Sequence, residues 1–351
     1  MPIDPFKPDQ IHYMKTKQFY RLLFAASLSG LLFTNCKKST ADNNTSTLPS
    51  PTELQTQSDD EARVNTESNA AFDDANTAMI SQTSVTGASF TPGPRSGVTV
   101  EGGNGALGDW INTICNATVT IDSTDNPRTI TITYNGKTAD SLRSRTGSIV
   151  ISIAQGVHWS DAGAVVTVSF NNLAIIRLSD NKTITLNGTH TYTNVSGGSL
   201  ASINSNNSDS VIHTITSSNM SITFDNGTTR TWSVARKRVF MYNGPGDLII
   251  IQYGTHTDGT LQGISEWGTD RYGNSFTAQI TYPLWITEGC GWQLSAGRYV
   301  LTNAAGVTTV TFGLTSTGQA ANSCPVAGSF YYLQLQWEGV RSNAYSILLP
   351  Y

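Results

Sequence analysis

The sequence predicts an all-β protein organised as an antiparallel sheet, either an extended two-sheet sandwich or a rolled meander, with one short helix near its N-terminus. Three observations predict it. From about residue 116 onward, β-branched apolar residues alternate with Thr, Ser or Asn, as in "ATVTID", "RTITITY", "SIVISI", "VVTVSF", "KTITL", "MSITF" and "LIIIQY". A period of two gives each strand one buried and one wet face, which suits antiparallel pairing better than a parallel sheet covered on both sides. The dipeptides Asn135-Gly136, Asn187-Gly188, Asn226-Gly227 and Asp258-Gly259 each lie between strand-like runs, and such pairs supply the two positive-φ residues of a type I′ hairpin. Charged residues make up 13% of the chain, against ~25% in an ordinary globular domain; Ser, Thr, Asn and Gly fill the difference. About 15 strands are expected between 116 and 351, with 194–210 as a long hairpin loop.

The N-terminal elements follow a different logic. Residues 1–13 are Pro-rich and charged and read as an upstream start-site extension, with Met14 the better start. Lys15, Lys17 and Arg21 then precede the apolar run Leu22–Phe33. That run matches a secretory h-region of ~7–15 residues and falls short of the ~20 needed to span a bilayer as a helix. Residues 1–35 therefore read as a signal peptide. The run closes on "LFTNC" at 32–36, which resembles the lipobox of bacterial lipoproteins. The resemblance implies that Cys36 is diacylated on sulfur and becomes the new N-terminus. Two or three acyl chains, each worth about 0.8 kcal/mol per buried CH₂, make such an anchor stable.

Residues 36–58 are expected to be the lipidated cysteine and a flexible tether, because they lack apolar periodicity and contain Pro49 and Pro51. Residues 59–109 hold an acidic helix and a Gly- and Ser-rich entry segment. The helix is placed over 59–79: Ser58 can cap it, Asp59, Asp60 and Glu61 fill the first turn, and Phe72, Ala75 and Met79 recur at helical spacing. Residues 110–351 form the β domain.

After removal of 1–35 the chain carries 17 Lys and Arg against 23 Asp and Glu. That acidic balance excludes nucleic acid as a natural partner. Of the four cysteines, Cys36 is assigned to lipid. Cys290 and Cys324 are the favoured disulfide, each in a turn-like context flanking one three-strand segment, and Cys115 is left as a buried small apolar residue.

Chemistry-bearing residues are sparse. Gly103-Asn104-Gly105-Ala106-Leu107-Gly108 fits a dinucleotide-binding pattern, but no strand leads into it and no βαβ unit follows, so it reads as a glycine-rich loop. His158, His190, His213 and His256 are scattered without metal-ligand spacing, so neither a metal nor a cofactor is expected. Glu266, Asp270 and Glu288 would be the carboxylates of a glycoside hydrolase-like site if two converged. In "ARKR" at 235–238, Arg236 and Arg238 share one strand face with Lys237 on the other. The two arginines are expected to pair with acids on a neighbouring solvent face. Trp267, Trp285, Trp292 and Trp337 are the candidates for stacking on sugar rings, the alternative for each being a place in the core.

The pieces "CNATVTID" (115–122), "SRTGSIVISI" (144–153), "TWSVARKRVF" (231–240), "GTDRYGNSFTAQITYPL" (268–284) and "GCGWQLSAG" (289–297), with a glycine-containing loop ending at Cys324, together resemble a group of uncharacterised β-rich Gram-negative envelope lipoproteins. That resemblance implies an exported protein whose signal and lipobox lead through an acidic spacer into Thr-rich hairpins. Lys37 stands where an acidic residue marks inner-membrane retention in some Gram-negative sorting systems, so the outer membrane is the expected location. The expected role is a non-catalytic binding or structural one, with the membrane as partner through the lipid and a glycan or envelope protein as the second partner. A surface carbohydrate-binding or adhesin module is the alternative, and a hydrolase the second alternative.

Overall fold

The computed structural model describes residues 51–80, 114–138, 141–199, 203, 210–242, 248–290, 293–326, 330–339 and 344–351. Cys36, the glycine-rich loop at 103–108 and Trp292 lie outside them. Leu48–Tyr351 forms one compact unit.

The expected antiparallel all-β body is present, as one continuous sheet of 15 strands among the described residues rather than a pair of packed sheets. Its first half is a plain meander of β1 (Ala117–Asp122), β2 (Arg128–Lys137), β3 (Arg143–Ile153), β4 (Ala164–Arg177), β5 (Lys182–Asn194), β6 (Val211–Phe224) and β7 (Thr229–Tyr242). Two collinear strands then lie beside β7: β8 (Leu248–Gly254) pairs with Arg236–Tyr242, and β10 (Leu261–Thr269) pairs with Thr231–Val234. Between them β9 (His256–Asp258) turns back onto β10 as a small hairpin. At the base of that hairpin a Cβ on Gly254 would fall 2.0 Å from the Gly263 carbonyl oxygen, so the two chains meet where a side chain has no room. Strand β11 (Ser275–Thr287) closes over both β8 and β10, and β12 (Gln293–Asn303), β13 (Gly306–Leu314), β14 (Tyr332–Gly339) and β15 (Ala344–Pro350) finish the meander.

One face of this sheet is apolar and dry. Along β2, β3, β4 and β5 buried residues alternate with wetter ones except at the register shifts, and Ile132, Ile149, Val166, Leu173 and Leu186 are 0% exposed. Against this face packs α1 (Pro51–Ile80). The helix starts eight residues before the expected Asp59, so residues 51–58 are helical rather than part of a flexible tether. The physical reason is Pro51 itself: its missing N–H and fixed φ cost nothing at the first helical position, so a residue read as a breaker serves as the start. Phe72, Ala75 and Met79 do share the buried face, extended by Val64, Ala71 and Ala78.

The sheet curls about the helix. Asp59 bonds Arg177 at the end of β4, and its neighbour Asp60 bonds Arg271 in the turn after β10. On a flat sheet β4 and β10 would lie about 19 Å apart, four spacings of ~4.8 Å, yet both reach one helix ~10–12 Å across.

Turn chemistry departs from expectation at two of four sites. Asn226-Gly227 lies in a turn, and Asp258 ends β9 with Gly259 opening the turn that follows, although only the glycine of each pair adopts positive φ. Asn135-Gly136 lies inside β2, and Asn187-Gly188 inside β5 at a register shift. A Cβ on Gly188 would sit 2.5 Å from the Asn219 carbonyl oxygen. Here glycine permits a close approach of two backbones at a bulge rather than a tight turn.

Candidate functional site

Two regions gather chemistry: the seam between α1 and the concave face, and a depression on the opposite, outer face.

The seam is an acidic helix set into an arginine-bearing sheet. Asp60, Glu67 and Asp74 recur every seven residues and so lie along one side of the helix. Asp60 accepts from Arg271 at 2.6 Å, Glu67 from Arg143 at 3.1 Å, and Asp74 from Arg145 at 2.6 Å and from the Tyr134 hydroxyl at 2.9 Å. Arg63 on the helix donates to the Lys182 carbonyl at 3.1 Å. Burial raises the pKa of Glu67 against the pull of Arg143, and it pushes Asp60 up to about 7 against Arg271 and Arg230. Desolvation is thus the larger influence on both groups, and the pairs fix the helix's register more than they add net stability.

The aromatic part of the seam centres on Phe72. Its ring stacks on Tyr192 with centroids 3.9 Å apart, meets His213 edge-on at 6.3 Å and lies under the Arg238 guanidinium at 5.4 Å. His213 is further enclosed by Trp159 and Phe240. His190 shares a 3.0 Å hydrogen bond with the Tyr192 hydroxyl. Burial, aided by Arg238 and, for His190, first by Arg236, brings both imidazoles down to about 3. They are neutral packing groups at physiological pH. Among the described residues no cluster of three His, Cys, Asp or Glu is placed to hold a metal.

The arginines of β7 correct an expectation. Arg236 and Arg238 face the interior, 4% and 2% exposed, instead of solvent. Arg236 and Arg230 both bond the Glu266 carboxylate, which is 1% exposed, and Arg238 Nε donates to Gln252 Oε1 at 3.0 Å. Lys237 projects to the outer face, 4.7 Å from the Tyr253 ring centroid. The sheet supplies the partner from its own interior row, which a single strand's sequence does not reveal.

Two of the three carboxylates considered for hydrolysis, Glu266 and Asp270, have structural partners. Glu266 is the counterion just described. Asp270 accepts from the Tyr272 and Asn274 backbone N–H groups at 2.9 Å and so shapes the β10–β11 turn. Glu288 begins a short 3₁₀ turn, Glu288–Cys290.

The disulfide Cys290–Cys324 is formed, with Cα atoms 5.1 Å apart, and Cys290 Sγ lies 3.3 Å from the Tyr331 hydroxyl. Cys115 is a free thiol, half-buried rather than fully buried as expected, because it lies in the irregular approach to edge strand β1.

Of the four tryptophans considered, Trp337 belongs to the core at 6% exposure, which removes it as a stacking residue. Trp267 and Trp285 are half-buried. Register puts them on one face: Trp267 pairs with Ser233, and Trp285 pairs with Ile251, itself opposite Val239, while Ser233 and Val239 share the outward row of β7. The six residues from Ser233 to Val239 set them about 20 Å apart along the strands, too far to act as one platform.

Beside Trp267 the outer face holds an open depression of about 340 Å³. A β-bulge makes it: Ser218 and Asn219 of β6 together oppose Ser233 of β7, where the register shifts between Ser217 and Met220. No charged side chain lines it. The period-two pattern alone gave no sign of this bulge, although Asn219 at a "SSN" step within the β6 run was a weak one. The chain matches no protein-family model, and no curated protein or solved structure matches it.

Proposed function

We propose that this is an exported, lipid-anchored outer-membrane protein, tethered through Cys36, whose β body has a non-catalytic binding or structural role in the cell envelope. The observation that carries the reading is the way α1 enters the body. The first described element after the apolar run and Cys36 is a 30-residue helix clamped into the concave face by four buried or half-buried acid–arginine contacts. A load on the anchor is therefore passed into the whole sheet, which suits a body held at a membrane. The reading also agrees with the structural engagement of Glu266 and Asp270, whose carboxylates serve arginines and turn amides.

The test is fatty-acid labelling combined with protease shaving of intact cells, comparing wild type with Cys36→Ala. Incorporation of label into wild type alone, with release of the variant from the membrane fraction, is the expected result. An unlabelled wild-type protein recovered in the soluble fraction would overturn the reading. Cleavage on whole cells or only after lysis then distinguishes the cell surface from the periplasmic side.

A further inference from the structure

We infer that the outer-face depression beside Trp267 is a binding subsite for a neutral sugar ring, an inference that rests on the reading of the β body as a binding module. Three features define the ligand's chemistry.

The first is an indole in a fixed pose. Trp267 projects outward from β10 and is stacked by His256 at the base of the β9–β10 hairpin, with centroids 4.0 Å apart and planes 18° from parallel. A side chain held on one side by another ring loses little entropy when a ligand meets it, and an indole presents a π face or edge to the C–H surface of a sugar. At its root the hairpin chains meet where Gly254 has no room for a side chain, and His256 pairs there with Ile264, so the backbone that carries the imidazole is closely placed.

The second is the polar rim. Asn219, Ser221, Thr231 and Ser233 line the depression from two adjacent strands. The Thr189 backbone N–H donates to the Asn219 side-chain Oδ1 at 3.2 Å, which orients the carboxamide and leaves its NH₂ as the donor offered to a ligand. A carboxamide and several hydroxyls can both donate and accept, the pattern that vicinal hydroxyls on a sugar require.

The third is the lack of charge. The lining includes no Asp, Glu, Lys, Arg or His. A phosphate, a uronate or an acidic peptide would gain no counterion there, whereas a neutral ring would not need one. The depression is open and sized for part of a chain, so an internal residue of an oligosaccharide fits it better than a deeply enclosed monosaccharide.

The test uses the full chain in detergent micelles and a panel of maltohexaose, cellohexaose, xylohexaose, mannohexaose and chitohexaose, read by saturation-transfer NMR and tryptophan fluorescence. At least one hexaose is expected to bind, with an affinity unchanged between 0.05 and 0.5 M salt, about the range over which a charge-based site would weaken strongly. Trp267→Ala should weaken it tenfold or more, Trp267→Phe less, and Ser233→Val at the rim severalfold, while Trp285→Ala leaves it unchanged. Circular dichroism of each variant excludes misfolding as the cause. No saturation transfer from any hexaose at millimolar concentration, or binding indifferent to Trp267→Ala, overturns the inference. Either failure leaves the labelling result at Cys36 standing, so loss of the sugar site is distinguishable from loss of the lipoprotein reading.

Discussion

Replacing Phe72 with alanine is the perturbation that most sharply examines how the helix is held. The ring is 1% exposed, so truncation removes a fully buried aromatic side chain and leaves a cavity between α1, β5 and β6. Phe→Ala changes in well-packed cores cost about 3–5 kcal/mol. At about 2–4 °C per kcal/mol for a large domain, the midpoint should fall by about 6–20 °C. Collapse of the site is limited, because Tyr192 and His213 beside it are held in β5 and β6, and His213 is itself packed by Trp159 and Phe240. Part of the loss is specific to the stack with Tyr192: a double-mutant cycle with Tyr192→Leu should give a coupling of about 0.5–1.5 kcal/mol. The assay is urea unfolding followed by both tryptophan fluorescence and far-UV circular dichroism, with coincident transitions required before a free energy is extracted. A loss below about 1 kcal/mol, the scale of an ordinary surface change, would refute the claim that Phe72 fills the concave face.

Three further outcomes follow from the same interior. Glu266→Ala leaves two buried guanidinium groups without the carboxylate between them and should cost about 3–5 kcal/mol in the same urea assay, far more than an exposed pair would. Stability should fall on acidification, because His190 and His213, at about 3 when folded, take up protons only on unfolding as the pH drops below 6.5. Asp60 opposes them: its pKa of about 7 in the folded chain means its contribution is present at low pH and is lost as the pH rises from about 4 to 7. Asp60→Asn should therefore steepen the acid loss by up to about 1.4 kcal/mol per pH unit, measured as urea midpoints between pH 4 and 7. Reducing Cys290–Cys324, or replacing both with Ser, opens a loop of 34 residues and should cost about 3–4 kcal/mol, seen as a lower melting temperature in reductant.

The strands and their antiparallel order were readable because one face of each is wet, so Thr and Ser mark the outer row and Ile, Val and Leu the inner one. The exceptions are positions where the interior is polar. In β7 the inner row runs Arg230, Trp232, Val234, Arg236, Arg238, Phe240, and an arginine-rich row looks like a solvent face until its counterions on β10 and the helix are known. The acids of α1 were equally visible at positions 60, 67 and 74, yet their meaning depends on Arg143, Arg145 and Arg271, which are brought to them only by the curl of the sheet. Pro51 and the two internal Asn-Gly pairs misled for a shared reason: a residue type states which backbone conformations are cheap, not whether a helix start, a bulge or a turn uses them. The outer depression had one legible component, Trp267. Its rim depends on a bulge, which a single extra residue creates and strand periodicity does not announce.

The measurement that bears most directly on the account is amide hydrogen exchange of the full chain, resolved over α1. If the helix fills the curled sheet and carries the tether into it, amides across 60–79 should exchange as slowly as those of β3 to β7, through the same global opening. Exchange of the helix within seconds while those strands stay protected would show that α1 is only peripherally held, and would contradict the account.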